Sequence, residues 1–209
     1  LKKERIVNIS SACNNNIFSC AETLQDKSYS DIDVIGDFIL YAGAADPRKN
    51  LKCLIKSYSL LDQGMQDTFK LVLAGKYTPA ENFILTNYIN QLGLTLDNVI
   101  LTGYISDEKL VYLYKKCTVF VMPSLHEGFG LPALEAMSCG AAVIASNTTS
   151  LPEVIGNQEA LFDPTNTFEI SLLLKRCLTD VDFLNSLKER GIEQSKLYSW
   201  SNSAIKTHE

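Results

Sequence analysis

Short apolar runs alternate with longer amphipathic segments along most of the chain. The runs that predict buried strands are residues 38–42, 69–74, 99–102, 118–122, 141–145 and, with a weaker pattern, 159–162. Between them, residues 51–61, 81–92 and 107–116 carry apolar positions at the spacing of a helix. Near-continuous apolar strands that alternate with helices are typical of a parallel sheet covered on both faces. We therefore predict a doubly wound α/β domain with a mostly parallel, six-stranded, Rossmann-like sheet.

The two ends of the chain depart from this alternation. Residues 1–34 contain three asparagines at 14–16 and other polar turns, which predict a lead-in or interdomain linker. The domain itself is expected to span residues 35–209, and its last part is predicted to be helical from Phe168 onward. Because the sequence does not begin with Met, we expect the chain to be part of a larger protein.

Composition and charge exclude several classes of protein. The chain has 209 residues and a net charge of −5. A nucleic-acid binder that relies on phosphate contacts needs a concentrated basic face, so we do not expect this chain to be one. No apolar run approaches the roughly 20 residues that a membrane helix needs. The six cysteines are scattered without a C-x-x-C pair, which predicts reduced thiols, no metal and a cytoplasmic location. Only a disulfide between Cys13 and Cys20 is left open.

The loops that follow the strands are where ligands bind in an open parallel sheet. Their most unusual composition lies in residues 123–140, where a strand is followed by a helix that is predicted to begin at 129–131 and to end at Gly140. Pro132 suits the first turn of that helix. Gly128 and Gly130 would expose backbone amides in front of its positive end, which favours an anion cradle. The alternative is that the two glycines only make a tight turn.

Two glutamates, Glu127 and Glu135, flank this helix start. If both lay on the helix, eight residues would separate them by about 12 Å, which is too far for an acid–base pair acting on one glycosidic bond. The spacing instead suits two contacts with hydroxyl groups on either side of a diphosphate. Glu135 stands among apolar helix positions, so partial burial and a ligand partner are expected, with an exposed helix glutamate as the alternative.

A second candidate site lies in residues 43–50, between the first strand and the first helix. Arg48 and Lys49 are placed there to reach across the strand ends towards a diphosphate. The alternative is that Arg48 and Lys49 are simply solvated, as most basic pairs in loops are. Their position directly after the first strand is what favours the binding role.

The segments at 41–51, 71–75, 99–110, 123–140 and 150–156 resemble, in order and spacing, the C-terminal domain of group 1 (family 4) glycosyltransferases of the GT-B fold. The two glutamates form the family's Glu-x7-Glu element. The resemblance implies a metal-independent, retaining hexosyltransferase that moves a sugar from a nucleotide diphosphate sugar to a glycan or lipid-linked acceptor.

The resemblance also implies a role for each matching residue. Glu127 and Lys49 are the candidate catalytic residues, the first facing the donor sugar and the second the diphosphate. Glu135 is expected to hold the ribose hydroxyls. The full set of expected donor-binding residues is Gly43, Arg48, Lys49, Gly103, Tyr104, Ile105, Glu127, Gly128, Phe129, Gly130, Leu131 and Glu135. Those at 103–105 are expected beside the base, and those at 128–131 beside the sugar and phosphates.

One position departs from the family pattern. Many members carry arginine where this chain has Ala44, so either Arg48 partly replaces it or the diphosphate binds more weakly. The segment around Ala44 resembles a subgroup that assembles bacterial surface polysaccharides, which makes GDP-mannose the expected donor in preference to UDP-sugars. A missing N-terminal GT-B domain is expected to supply the acceptor site and any contact with the inner face of the membrane. This chain alone is then expected to bind nucleotide without transferring sugar.

Two other interpretations stay open at this point. A degenerate nucleotide-binding or scaffold domain would have kept the fold and lost transfer activity, and Ala44 favours it. A different enzyme on a similar fold, such as a sugar-nucleotide epimerase, should lack the Glu-x7-Glu element.

Overall fold

A computed structural model of the chain describes residues 11–14, 17–20 and 36–208. The strands are β1 (Asp37–Ala42), β2 (Phe69–Ala74), β3 (Val99–Gly103), β4 (Val119–Met122), β5 (Val143–Ser146) and β6 (Leu161–Phe162). The helices are α1 (Leu51–Ser59), α2 (Gln63–Thr68), α3 (Pro79–Gln91), α4 (Asp107–Lys116), α5 (Leu131–Ser138), α6 (Leu151–Ile155), α7 (Thr167–Thr179), α8 (Val181–Ser195) and α9 (Trp200–His208).

Within these residues, the six strands form one sheet in the order β3-β2-β1-β4-β5-β6. Every neighbouring pair is parallel. The chain extends the sheet outward from β1 in one direction and then returns to add β4 on the other side of β1. The order of the strands therefore reverses between β1 and β4, and this reversal opens a crevice at their carboxyl ends.

Helices cover both faces of the sheet. On one side α1 packs beside α3 and α7, and on the other α5 packs beside α4 and α8. Between the two layers, central strand residues such as Ile39, Val72, Phe120 and Ile144 are fully buried. The predicted doubly wound sheet is confirmed, because strands that are covered on both faces need the near-continuous apolar runs seen in the sequence.

Element boundaries differ from the prediction where polar residues decide the local structure. Helix α3 begins at Pro79 rather than at 81, because Thr78 and Glu81 form a reciprocal capping box around its first turn. Helix α2 was not predicted because Met65 is its one large apolar residue. Asp62 caps its start by accepting a hydrogen bond from the Met65 amide. Strand β6 is shorter than predicted because residues 158–160 form a 3₁₀ turn before it.

The described parts of the predicted lead-in pack against the domain. Cys13 and Phe18 are buried, and the Phe18 ring meets the edge of Tyr114 at 6.3 Å. Cys13 Sγ lies 3.2 Å from the Ser138 hydroxyl, and the Cys20 thiol donates to the Ser138 carbonyl at 3.0 Å. All six cysteines are free thiols in this structure, so the disulfide left open above is not formed. The rest of residues 1–34 lies outside the described residues.

Candidate functional site

Lys49 and Glu127, the two predicted catalytic residues, form an ion pair at the carboxyl end of the sheet. Lys49 ends the 3₁₀ turn that follows β1, and Glu127 lies in the loop between β4 and α5. Lys49 Nζ donates to Glu127 Oε1 at 2.8 Å, and the two side chains are only 24% and 10% exposed. Because β1 and β4 flank the reversal of strand order, this pair stands in the crevice where ligands of such sheets bind.

Asn50 holds the loop that carries Lys49. Its backbone is left-handed, with a φ of 59°, a conformation that asparagine adopts more readily than most residues. The side-chain amide donates to the Pro123 carbonyl at 3.0 Å and to the Pro164 carbonyl at 2.8 Å. One side chain therefore ties together the loops that follow β1, β4 and β6, and it fixes the backbone beside Lys49.

Arg48, in the same turn, is paired with Asp46. Its guanidinium donates to both carboxylate oxygens of Asp46, the shorter contact being 2.8 Å, while the arginine side chain stays 67% exposed. These hydrogen bonds, together with one from the Arg48 backbone amide, lower the pKa of Asp46 to about 2. Arg48 therefore points its charge at Asp46, and its predicted contact with a diphosphate would require it to leave this partner.

A cavity of about 260 Å³ opens at the carboxyl ends of β1, β2 and β3. The predicted residues in its lining are Gly43, Tyr104, Ile105 and Glu135. Gly103 ends β3 directly before Tyr104, in a left-handed conformation with a φ of 72°. Two other cavities, of about 370 and 510 Å³, are lined by none of the predicted residues. The structure thus gathers the residues predicted beside base and ribose around one concave site.

Lys76 lines the same cavity and is not among the residues predicted from the sequence. It follows Gly75 at the end of β2 and is exposed. Among the described residues, no carboxylate lies within salt-bridge distance of it. The only signal in the sequence is a charged residue directly after an apolar strand, which also describes many solvated lysines. Lys76 therefore adds a positive charge to this cavity, which the predicted residues in its lining do not supply.

Glu135 lies on α5 with its carboxylate turned into the protein. The Tyr114 hydroxyl, which is fully buried, donates to Glu135 Oε2 at 3.4 Å. Burial raises the pKa of Glu135 above its ordinary value, and the hydrogen bond from Tyr114 opposes that shift. The predicted partial burial is confirmed. The helical estimate of about 12 Å does not apply, because α5 begins at Leu131, within the predicted range, and leaves Glu127 in the preceding loop.

The turn into α5 has the predicted construction. Gly130 is its N-cap residue, with a φ of 101° that a side chain would strain. Pro132 lies in the first turn, and Gly140 follows the helix with a φ of 83°. A Cβ at Gly130 would lie 2.7 Å from a methyl carbon of Leu151, whereas one at Gly128 would meet nothing within 4 Å. Gly128 therefore faces open space in front of the helix.

The aromatic residue between these glycines packs inward. The Phe129 ring meets the edge of the Tyr198 ring at 5.5 Å, and the Tyr198 hydroxyl donates to the Glu153 carbonyl at 2.8 Å. The Phe129 ring is therefore directed at Tyr198 in this structure. Leu131, the first residue of α5, is 38% exposed.

The comparison with protein families now decides the assignment. The model described as "Glycosyl transferases group 1" matches residues 26–194. The chain belongs to this family. Among its curated relatives, the serotype-specific mannosyltransferase WbdA of Escherichia coli is 42% identical over 210 residues, which cover 98% of this chain and 25% of WbdA. The O-antigen chain mannosyltransferase B of Escherichia coli is 37% identical over 98% of this chain and 53% of the relative.

Solved structures agree with the family. Sucrose-phosphate synthase from Thermosynechococcus elongatus superposes with a TM-score of 0.82 at 27% identity, over 96% of this chain and 50% of that one. The resemblance to the C-terminal part of a GT-B glycosyltransferase is confirmed. This group 1 glycosyltransferase chain spans between a quarter and about half of the length of the curated relatives described here.

Two further features bear on the predicted partners of this glycosyltransferase chain. Within the described ranges, no helix combines the length and the apolar character needed to cross a membrane. The same residues contain no group of three or more histidine, cysteine, aspartate or glutamate side chains arranged to hold a metal ion.

Proposed function

We propose that this chain binds the nucleotide sugar donor of a retaining mannosyltransferase that takes part in surface polysaccharide assembly on the cytoplasmic side of the membrane. The observation that carries the proposal is the Lys49–Glu127 ion pair in the β1/β4 crevice, next to the cavity lined by Glu135. The names of the two Escherichia coli relatives, both mannosyltransferases, support mannose as the sugar. GDP-mannose is therefore the proposed donor.

In this proposal the donor lies along the strand ends. The base stands beside Tyr104 and Ile105, and the ribose hydroxyls donate to the Glu135 carboxylate. The diphosphate meets Lys49, together with the amides at 128–130, and Glu127 accepts hydrogen bonds from the sugar. When the bond between the sugar and the diphosphate breaks, negative charge grows on the leaving phosphate. The Lys49 ammonium and the backbone amides stabilise that charge, so the proposal requires no metal ion.

A titration panel tests the proposal. The chain is titrated with GDP, UDP, GDP-mannose and UDP-glucose, and the full-length protein is assayed for transfer to a glycan or lipid-linked acceptor. GDP and GDP-mannose are expected to bind more tightly than the uridine compounds. Tighter binding of UDP-glucose would overturn the assignment of the donor, and failure of both GDP and UDP to bind at millimolar concentration would overturn the proposal as a whole.

A scaffold domain without transfer activity is the second candidate. The specific observation that favours it is the Arg48–Asp46 pair, which directs the Arg48 charge at Asp46, while Ala44 has no charge to offer to a diphosphate in its place. The same titration separates the two candidates, since a scaffold would bind neither nucleotide.

Replacing Glu135 with glutamine is expected to stabilise the fold and to weaken the binding of GDP. Burial raises the pKa of this carboxyl, so the folded state holds its proton more tightly than the unfolded chain does. The ionised group therefore costs stability increasingly as the pH rises from the ordinary carboxyl pKa through the raised one. E135Q should melt at a higher temperature than wild type at neutral pH, and this difference should shrink in acid.

The effect of E135Q on GDP has the opposite sign. Loss of a carboxylate acceptor for the ribose hydroxyls should weaken GDP by about 1–3 kcal/mol, as measured by calorimetry at neutral pH. For the wild type, GDP affinity should rise as Glu135 ionises. An E135Q chain that is more stable and still binds GDP like wild type would show that Glu135 is a buried helix residue without a ligand.

A further inference from the structure

Three consecutive hydroxyl residues contact the loop between β4 and α5, residues 123–130, which contains Gly128 and Gly130 and which we call the glycine loop. Thr148, Thr149 and Ser150 follow β5, and we call them the hydroxyl clamp. Their side chains make five hydrogen bonds to the backbone of residues 124–129. Thr148 donates to the two carbonyls at 124 and 125, each at 3.4 Å. The clamp therefore connects the loops that follow two neighbouring strands.

Ser150 is diverted from the role that its position favours. It directly precedes α6, where a serine hydroxyl usually caps the helix by accepting from its first amides. Here it makes no such hydrogen bond. The hydroxyl instead shares its single proton between the carbonyls of Phe129 at 2.9 Å and Glu127 at 3.2 Å. One oxygen atom thus draws two carbonyls of the glycine loop towards the same point.

Because of the geometry of the peptide bond, the directions of these two carbonyls also fix the directions of two backbone N–H groups. In a trans peptide the carbonyl and the following N–H point in opposite directions, and the described residues contain no cis peptide. Because the carbonyls of 127 and 129 point at Ser150, the N–H groups of Gly128 and Gly130 point away from it. Within the described part of the chain, neither N–H has a hydrogen-bond acceptor. Amides of one loop that point to the same side can together form a concave anion site.

Thr149 acts on the neighbouring residue from an unfavourable backbone conformation. Its φ of 54° is left-handed, which is rare for a β-branched residue and is tolerated only where the surroundings enforce it. In this conformation its Oγ1 accepts from the Glu127 amide at 3.1 Å. The same clamp therefore orients the backbone of the glutamate that pairs with Lys49 and the two glycine amides beside it.

We infer that the hydroxyl clamp, with Ser150 as its main positioning residue, holds the Gly128 and Gly130 amides in the orientation that the proposed function requires at the terminal phosphate of the donor nucleotide. Ser150 does not itself touch the donor in this arrangement. The inference rests on the proposed function, because it takes a nucleoside diphosphate as the ligand.

The test compares two nucleotides that differ by one phosphate. Calorimetry on the 209-residue chain measures GDP and GMP with wild type, S150A, S150T and S186A. S150A should lower the affinity for GDP about tenfold, which is equivalent to one lost hydrogen bond. It should lower the affinity for GMP by less than about twofold. S150T retains the hydroxyl and should bind GDP like wild type. S186A removes a hydroxyl that donates within α8 to the Phe183 carbonyl, and should change neither affinity.

Amide hydrogen exchange supplies a measurement that needs no ligand. In S150A the amides at 127–130 should exchange faster than in wild type, and those of β4 should not. Equal losses for GDP and GMP, or an unchanged GDP affinity, would overturn the inference while leaving nucleotide binding in place. A wild-type chain that binds neither GDP nor UDP would overturn the proposed function itself, so the two failures are distinguishable.

Discussion

Replacing Glu127 with alanine is expected to abolish the preference for a sugar-bearing donor without weakening GDP. In the proposed arrangement Glu127 contacts only the sugar, so the variant should bind GDP-mannose no better than GDP. Loss of the contact that orients the sugar should lower the rate of transfer by the full-length enzyme by about a hundredfold. The half-buried Lys49 would lose its partner, so its charge becomes fully available to the diphosphate. GDP affinity should therefore stay constant or rise.

Two further variants serve as a comparison and a control for Glu127→Ala. Lys49→Met removes the other half of the ion pair and should weaken GDP and GDP-mannose alike, since both carry the diphosphate. Glu189→Ala, on the exposed face of α8, changes the net charge by the same amount as Glu127→Ala and should leave binding and transfer unaffected. An E127A chain that loses affinity for GDP but still prefers GDP-mannose would reverse the roles assigned to the two glutamates.

Replacing Gly75 with alanine is expected to destabilise the fold by about 3 kcal/mol. A Cβ at this position would lie 1.9 Å from the carbonyl oxygen of Gly43, which is backbone and has no other rotamer to adopt. The Gly43 amide also donates to the Ala74 carbonyl at 2.8 Å, so the two strand ends cannot separate without losing a sheet hydrogen bond. For a chain of this length, thermal unfolding should begin roughly 10 °C lower.

Two other glycines provide matched controls for this prediction. Gly64 lies in α2, and the nearest atom to a Cβ there is 3.7 Å away, so Gly64→Ala should raise stability slightly by reducing the entropy of the unfolded chain. Gly128→Ala places its methyl in open space and should keep the melting temperature while obstructing the donor. If Gly75→Ala melts like wild type, the close approach of the two strand ends is not a constraint on the fold.

The fold could be predicted from the sequence because its signals are local. The buried strands are near-continuous apolar runs, and the turn into α5 is marked by glycine and proline at positions that their backbone preferences explain. The exceptions, α2 and α6, are short helices without an amphipathic stripe. Their formation depends on caps and on packing, which the spacing of apolar residues does not report.

The candidate site could be predicted only in part, because its contacts join residues that are distant in the sequence. Lys49 and Glu127 are 78 positions apart, and only the strand order brings them together. The sequence also does not reveal that Arg48 is paired with Asp46, since a flexible side chain selects its partner from the folded surroundings. The same applies to Ser150, whose position suggests a helix cap and whose hydroxyl instead serves the glycine loop.

The two hydrogen bonds of the Asn50 amide limit the insertions and deletions that three loops of this domain can accept. Surface loops usually tolerate insertions and deletions because few contacts depend on their length. Here the segments after β1, β4 and β6 meet at one side chain. A residue added between Met122 and Leu125, or between Phe162 and Thr165, would displace a carbonyl from Asn50 and with it the turn that ends at Lys49. New substrates for this scaffold are therefore reached more readily through substitutions around the crevice than through insertions in the loops that follow β1, β4 and β6.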